Sequence, residues 1–381
     1  MSGRSGRRGF DPVGNVIFFG LTQTKISRLL VSDLPNLSGH FPLTTTMVLR
    51  SFLLLTQSKN TDYAEKAIKG FLGTSFFCLG KEYLSTQIKH HLYFSIQYLI
   101  RENLLTYDGQ LLNLAGAVYH LYYTEPSNFA FAVLYKHGVF HEICSNVYEN
   151  SQYVKDTLML VLSNLFNVIR LRSDGSLSEA QKKYPSKVVL DPIPKSIQRT
   201  LNEHNDRVLR IYSAYIISYA KTLYDPDNKL PLSGSQFPPK SSNLDHLTDQ
   251  LMQTCVSFTA RSPFMAVVSG QGDRFRNVYD LTSHLRSNIF LDANSIPFVE
   301  TDRYLKNAYL LDFFSHGQEN ALIKANWIRP GELWQVLKDF SLTLNAICTS
   351  LETMDGSDEN VLYGFTIVRD EFNEKFKKIW A

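Results

Sequence analysis

The residues best suited to chemistry stand at the start of the chain, in Gly3-Arg4-Ser5-Gly6-Arg7-Arg8-Gly9. Arg4 and Arg7 are three residues apart, so one helical turn can bring both guanidinium groups to one face. There they could clasp a triphosphate bidentately. Gly6 and its neighbouring glycines let the backbone approach closely. An arginine so placed stabilises charge developing on a γ-phosphate during hydrolysis. The same residues also suit an Arg/Gly tail without fixed structure, or a basic arm that binds RNA.

Other chemistry fails on spacing. Gly80-Lys81 suggests a phosphate-binding P-loop, but position 75 is Ser, Gly73 comes two residues too early, and Glu82 replaces the hydroxyl that would hold Mg²⁺. No DExH or DExD tetrapeptide occurs, and no GxSxG elbow. His141-Glu142 lacks the second histidine of HExxH, because position 145 is Ser. His90 and His91 are adjacent and point about 100° apart on a helix, so they cannot chelate one metal at i,i+4. Gly270-Gln271-Gly272 has no third glycine in register. Cys78, Cys144, Cys255 and Cys348 are far apart. They read as core fillers in a reducing compartment, not as a zinc module or disulfide scaffold.

The elements that would position such residues are mostly helical. Thr44–Leu55 starts after Pro42 with threonines that can cap, and Met47, Val48, Phe52 and Leu55 share a face. Tyr63–Phe71 is shorter. Ile88, Leu92, Ile96, Leu99 and Ile100 make a third stripe. Leu104–Tyr107 and Gln110–Leu114 then flank Asp108-Gly109, a hairpin signal with a type I′ turn. Three helices and a hairpin are the order of a winged helix, placed at 21–124. Before it, Val16–Phe19 lies between Gly14 and Gly20 and reads as one buried strand.

Beyond the hairpin, apolar stripes run through Val154–Ile169, Val208–Tyr219, Leu333–Leu351 and Val361–Ile379. Ser173–Pro194 reads as a connection and Asp225–Asn243 as a linker. The fold class expected is mainly α: the remnant of a sheet-domain edge at 1–20, the winged helix, a helical region at 125–224, a linker at 225–245 and a C-terminal helical domain at 246–381.

The 381 residues are 44% hydrophobic and carry a formal charge of +3, so nucleic-acid contact must be local. The charge-free stretch Gly109–Thr124 is too short and polar to span a membrane, and the four-residue run Val16–Phe19 is too short for a secretory signal.

The opening residues, MSGRSGRRGFDPVGNVIFFG, resemble motif VI of Ski-type superfamily-two helicases. Further segments resemble the DExD/H-box helicase 60 branch, the interferon-inducible antiviral helicases. They are Lys25–Leu43, Ala115–Ser127, Gly138–His141, Asn307–Gly317 and Leu337–Ser341. The resemblance implies a parent ATP-dependent RNA helicase with two RecA-like domains, a winged helix and a helical C-terminal region. It assigns residues 1–20 to the end of the second RecA-like domain. It gives Arg4 and Arg7, with Gly6, a place against ATP's γ-phosphate across the domain cleft, and Arg8 the positioning of that loop.

The chain departs from that pattern by starting inside motif VI and showing neither P-loop nor DExH box. The expectation is therefore a fragment that hydrolyses and stably binds no nucleotide alone, ATP and Mg²⁺ belonging to the parent. Its expected partners are the missing RecA-like domains and RNA, its expected location the cytoplasm, without a membrane. Lys81, Lys89, His90 and Arg101, on or near the third helix, are the candidate RNA contacts. The alternative is a non-enzymatic module binding a protein through its C-terminal helices, for which Trp327, Trp334 and Trp380 are suggestive.

Overall fold

The computed structural model describes residues 13–31, 44–73, 82–169, 171, 186–222, 296–299 and 305–380. The chain divides into two compact units. One comprises residues 41–211 and 295–381, the other residues 1–40 and 212–294. The boundary falls inside one long helix.

In the smaller unit the described residues form helix α1 (Gln23–Val31), the extended stretch before it and the last turns of that long helix, residues 212–222. Val16–Phe19 is not a strand. Ile17 is 87% and Phe19 96% exposed. The run has the apolar character of a strand, but strand geometry requires a neighbour to receive its N–H and C=O groups. Among the described residues none does so.

In the larger unit, α2 (Thr45–Gln57), α3 (Asp62–Gly73) and α4 (Glu82–Arg101) come first. Thr44 caps α2, its Oγ1 accepting from the Met47 N–H at 3.2 Å. The helix ends in a Schellman motif: the Asn60 N–H donates to Leu55 O at 2.8 Å and the Lys59 N–H to Thr56 O at 3.1 Å. Helix α4 ends the same way, with Leu104 donating to Leu99 O and Asn103 to Ile100 O. The left-handed residues there are Lys59, Asn60 and Asn103 rather than glycines. The buried face of α4 is Ile88, His91, Phe94, Ser95, Tyr98 and Leu99. It is rotated from the expected stripe, because Phe94 and Tyr98 have the larger apolar surface to hide.

The hairpin exists in a minimal form, with one antiparallel bridge between Leu105 and Leu111. Only Gly109 in its loop has a positive φ, at 79°. The Gly109 N–H donates to Thr106 O, and the Thr106 N–H to Gln110 O. This is a three-residue loop with a G1 bulge, not the two-residue type I′ turn, which would need a second positive φ at Asp108.

Next come α5 (Ala115–Tyr119), a 3₁₀ turn at Tyr122–Thr124, α6 (Ser127–Lys136), α7 (Val139–Cys144) and α8 (Ser151–Phe166). Helix α9 (Lys195–Thr222) crosses the unit boundary. The larger unit closes with α10 (Tyr309–His316), α11 (Glu319–Lys324), α12 (Pro330–Glu352) and α13 (Glu359–Trp380). Helices α12 and α13 pack on each other, and α13 also packs on α7 and α8. Leu333, Leu337, Phe340, Leu344, Ile347 and Leu351 are buried, as are Val361, Phe365, Val368, Phe372 and Phe376. Both stripes match the 3.6-residue period read from sequence.

Part of the stretch expected to be a plain connection pairs with distant backbone. Leu190 N–H donates to Lys306 O, Ala308 N–H to Val188 O, and Leu171 N–H to Leu305 O. Residues 305–308 thus thread between two extended pieces. The linker expected at 225–245 lies outside the described residues. Among the described residues no helix is long and apolar enough to cross a membrane.

Candidate nucleic-acid interface

Arg4, Gly6, Arg7 and Lys81 lie outside the described residues. Lys89 and His90 belong to α4, between buried Ile88 and buried His91, and their side chains also lie outside what is described. Arg101 ends α4 and is exposed. The next residue, Glu102, is buried and pairs with Arg207 Nε of α9 at 3.4 Å. The Lys136 ammonium donates to the Glu102 carbonyl at 3.3 Å. Arg101 therefore sits beside an internal ion pair that ties the third helix to α9.

Several polar residues in and beside the segments that carry the resemblance are engaged inside the fold. Glu125 turns inward to the N-terminus of α2, accepting from Thr45 N–H at 3.2 Å and Thr46 N–H at 2.9 Å. Burial raises its pKa, and the hydrogen bonds from Thr44, Thr45 and Thr46 oppose that rise. Asn128 donates to Thr46 Oγ1 at 2.8 Å and to Val118 O at 3.1 Å. Asn307 and Asn326 form a reciprocal pair. Asn307 Nδ2 donates to Asn326 O at 2.8 Å, and Asn326 Nδ2 donates to Asn307 Oδ1 at 2.9 Å. Asp312 accepts from the Lys187 N–H at 2.7 Å and has His316 Nε2 at 3.0 Å. Gly138 and Gly317, with φ of 75° and 64°, supply left-handed turns at helix ends. The individual roles of Glu125, Asn128, Asn307, Asn326 and Asp312 are not legible in sequence, since each meets a partner well separated along the chain.

One group of polar and aromatic side chains does face solvent. Arg50 of α2 lies over the Tyr122 ring, its Cζ 4.0 Å from the centroid. Tyr122 meets Tyr123 edge-on at 5.3 Å, and Tyr119 and His120 have ring centroids 4.5 Å apart. Among the described residues no group of three or more His, Cys, Asp or Glu could hold a metal ion. Cys144 and Cys348 are buried, their thiols pushed up to about 12 and about 11 by desolvation, which leaves them un-ionised and unreactive. Trp380 packs on Phe376 at 4.9 Å, while Trp327 and Trp334 are partly exposed.

Comparison with known proteins places this architecture. Residues 37–119 match the DDX60-like winged helix domain. The whole chain is 31% identical to a human protein described as a probable ATP-dependent RNA helicase DDX60-like. It is also 31% identical, over 82% of its length, to an uncharacterized helicase of Dictyostelium discoideum. A third match, 24% identical over the full chain, is an uncharacterized helicase of Caenorhabditis elegans. The chain belongs with the DDX60-like helicases. It spans only 23%, 17% and 21% of these three relatives. No solved structure matches it significantly. The DDX60-like match covers α2, α3, α4, the hairpin and α5, so the winged helix expected from the element order is the domain present.

Proposed function

We propose that this DDX60-like chain is a C-terminal supporting portion of an ATP-dependent RNA helicase, which braces the catalytic core and lines part of the RNA path. The observation that carries the reading is the full-length 31% identity to the human relative described as an RNA helicase, joined to the winged-helix match at 37–119. Arg4, Gly6 and Arg7 would complete a nucleotide clamp whose other half, with ATP and Mg²⁺, belongs to the rest of such a helicase. They lie outside the described residues, so the reading rests on the helical body. RNA contact through that body would follow phosphates and shape rather than sequence.

Titration of the 381-residue chain with labelled RNA tests the reading. The expected result is binding that weakens steeply as salt rises from about 50 to 200 mM, the signature of phosphate neutralisation and counterion release. An absence of binding at the lowest salt would overturn it and favour a protein-interaction module.

A further inference from the structure

We infer that Arg50, Tyr122 and Tyr123 form a binding ledge for single-stranded RNA, Arg50 engaging a phosphate and the tyrosine rings a base. The inference rests on the RNA reading above and assigns it a site distinct from Lys81, Lys89, His90 and Arg101. Three features of the ledge carry it.

The first is an uncompensated cation. Arg50 is exposed, and no carboxylate of the described residues pairs with it. Among the described residues its one partner is the π face of Tyr122, with Cζ 4.0 Å from the centroid. A guanidinium held over a ring keeps its planar fork of N–H donors for an oxyanion. Glu125, three residues beyond Tyr122, is turned inward onto the α2 N-terminus. The second feature is exposed aromatic surface. Tyr122 and Tyr123 are 49% and 46% exposed and meet at an interplanar angle of 86°. One ring therefore presents an edge to the other and keeps a face for stacking. Rings beside a cation are the recurring means of holding unpaired bases without reading their sequence.

The third feature is rigidity. Both tyrosines sit in the 3₁₀ turn, whose start is fixed by buried Leu121 and by Thr124 Oγ1 donating to Leu121 O at 2.8 Å. The Tyr123 hydroxyl donates to Thr343 Oγ1 of α12 at 3.4 Å. Asp339 of α12 places negative charge on the Tyr123 side. A phosphate is therefore favoured at Arg50 over the Tyr123 side. A duplex keeps its bases stacked on each other, so the ledge favours single strands.

Fluorescence anisotropy with the full chain, a labelled single-stranded RNA and the matching duplex tests this. Arg50→Ala is expected to weaken single-strand binding about tenfold and to lower the salt slope by about one phosphate contact. Tyr122→Leu should weaken it comparably while leaving the slope unchanged, because stacking releases no counterions. Arg50→Lys should keep the slope and recover only part of the affinity. Thermal melting of each variant checks folding, and Tyr123→Leu gives a second reading should Tyr122→Leu unfold. Wild-type affinity and slope in a folded Arg50→Ala would overturn the ledge while leaving the RNA reading intact. If wild-type chain binds no RNA at low salt, the RNA reading fails, and the ledge with it.

Discussion

His204 is fully buried on α9, and its surroundings make it an acid-sensitive point of the fold. Its Nε2 donates to Pro297 O at 3.0 Å, while Nδ1 has no partner. Burial lowers its pKa from 6.5 to about 4. Glu102 and the bond to Pro297 pull it up, and Arg207 and His137 push it down. The neutral ring is thus the folded form, whereas the unfolded chain takes up a proton near pH 6.5. A folded pKa below the unfolded one gives stability that is complete above pH 6.5 and is lost as pH falls toward 4. The loss should reach on the order of 3 kcal/mol. Denaturant midpoints measured across that window should fall steeply for the wild type and more gently for His204→Gln. Parallel curves would remove His204 as the cause. Glu102 matters twice here, since it both faces His204 and anchors Arg207, so a change at Glu102 would alter the same window.

At the scale of elements, what sequence could show depends on how local the deciding interaction is. The cap of α2 was legible because Thr44 reaches a backbone amide three residues on. The stripes of α12 and α13 were legible because both helices are long and strictly periodic. The phase of α4 was not, because several apolar positions competed for the core and ring size settled which was buried. Val16–Phe19 has a strand's composition without a described partner to make it one. Of the candidate site, Arg101 could be placed, while the Arg50–Tyr122 contact joins elements from α2 and the 3₁₀ turn and leaves no local pattern.

Glu125 is the clearest case of a non-local device. It caps α2 across 80 residues of sequence, adding negative charge where the first-turn amides of a helix lack acceptors. Glu125→Ala should leave the Thr45 and Thr46 amides without that acceptor and cost about 1–3 kcal/mol. Glu125→Gln should cost less, because an amide oxygen still accepts one bond. Chemical denaturation of both variants measures this, and a wild-type midpoint for Glu125→Ala would show that water caps the helix equally well.

For the molecule as a whole, the telling fact is that the larger unit is discontinuous in sequence. Residues 41–211 reach a finished core only with 295–381 in place. Phe365 of α13 packs edge-on against Phe131 of α6 and Phe140 of α7, with centroids 5.7 and 5.2 Å apart. Asn113 beside the hairpin and Asp355 between α12 and α13 exchange hydrogen bonds across the same unit. The winged helix and the C-terminal helical pair are thereby coupled, and a load at one is felt at the other. Gly364 lies on this seam. A Cβ there would stand 2.7 Å from Cys144 Sγ, whose own position is fixed in the core of α7. Gly364→Ala should therefore force α13 away from α7 and α8 and cost about 1–3 kcal/mol, despite the higher helix propensity of alanine. Because the seam joins both stretches, winged-helix and C-terminal probes should report one shared transition moved to lower temperature. Calorimetry with tryptophan fluorescence, which reports on Trp327, Trp334 and Trp380, provides the comparison. Should the C-terminal fluorescence shift while the remaining heat absorption stays at its wild-type temperature, the two stretches fold separately and the coupling is absent.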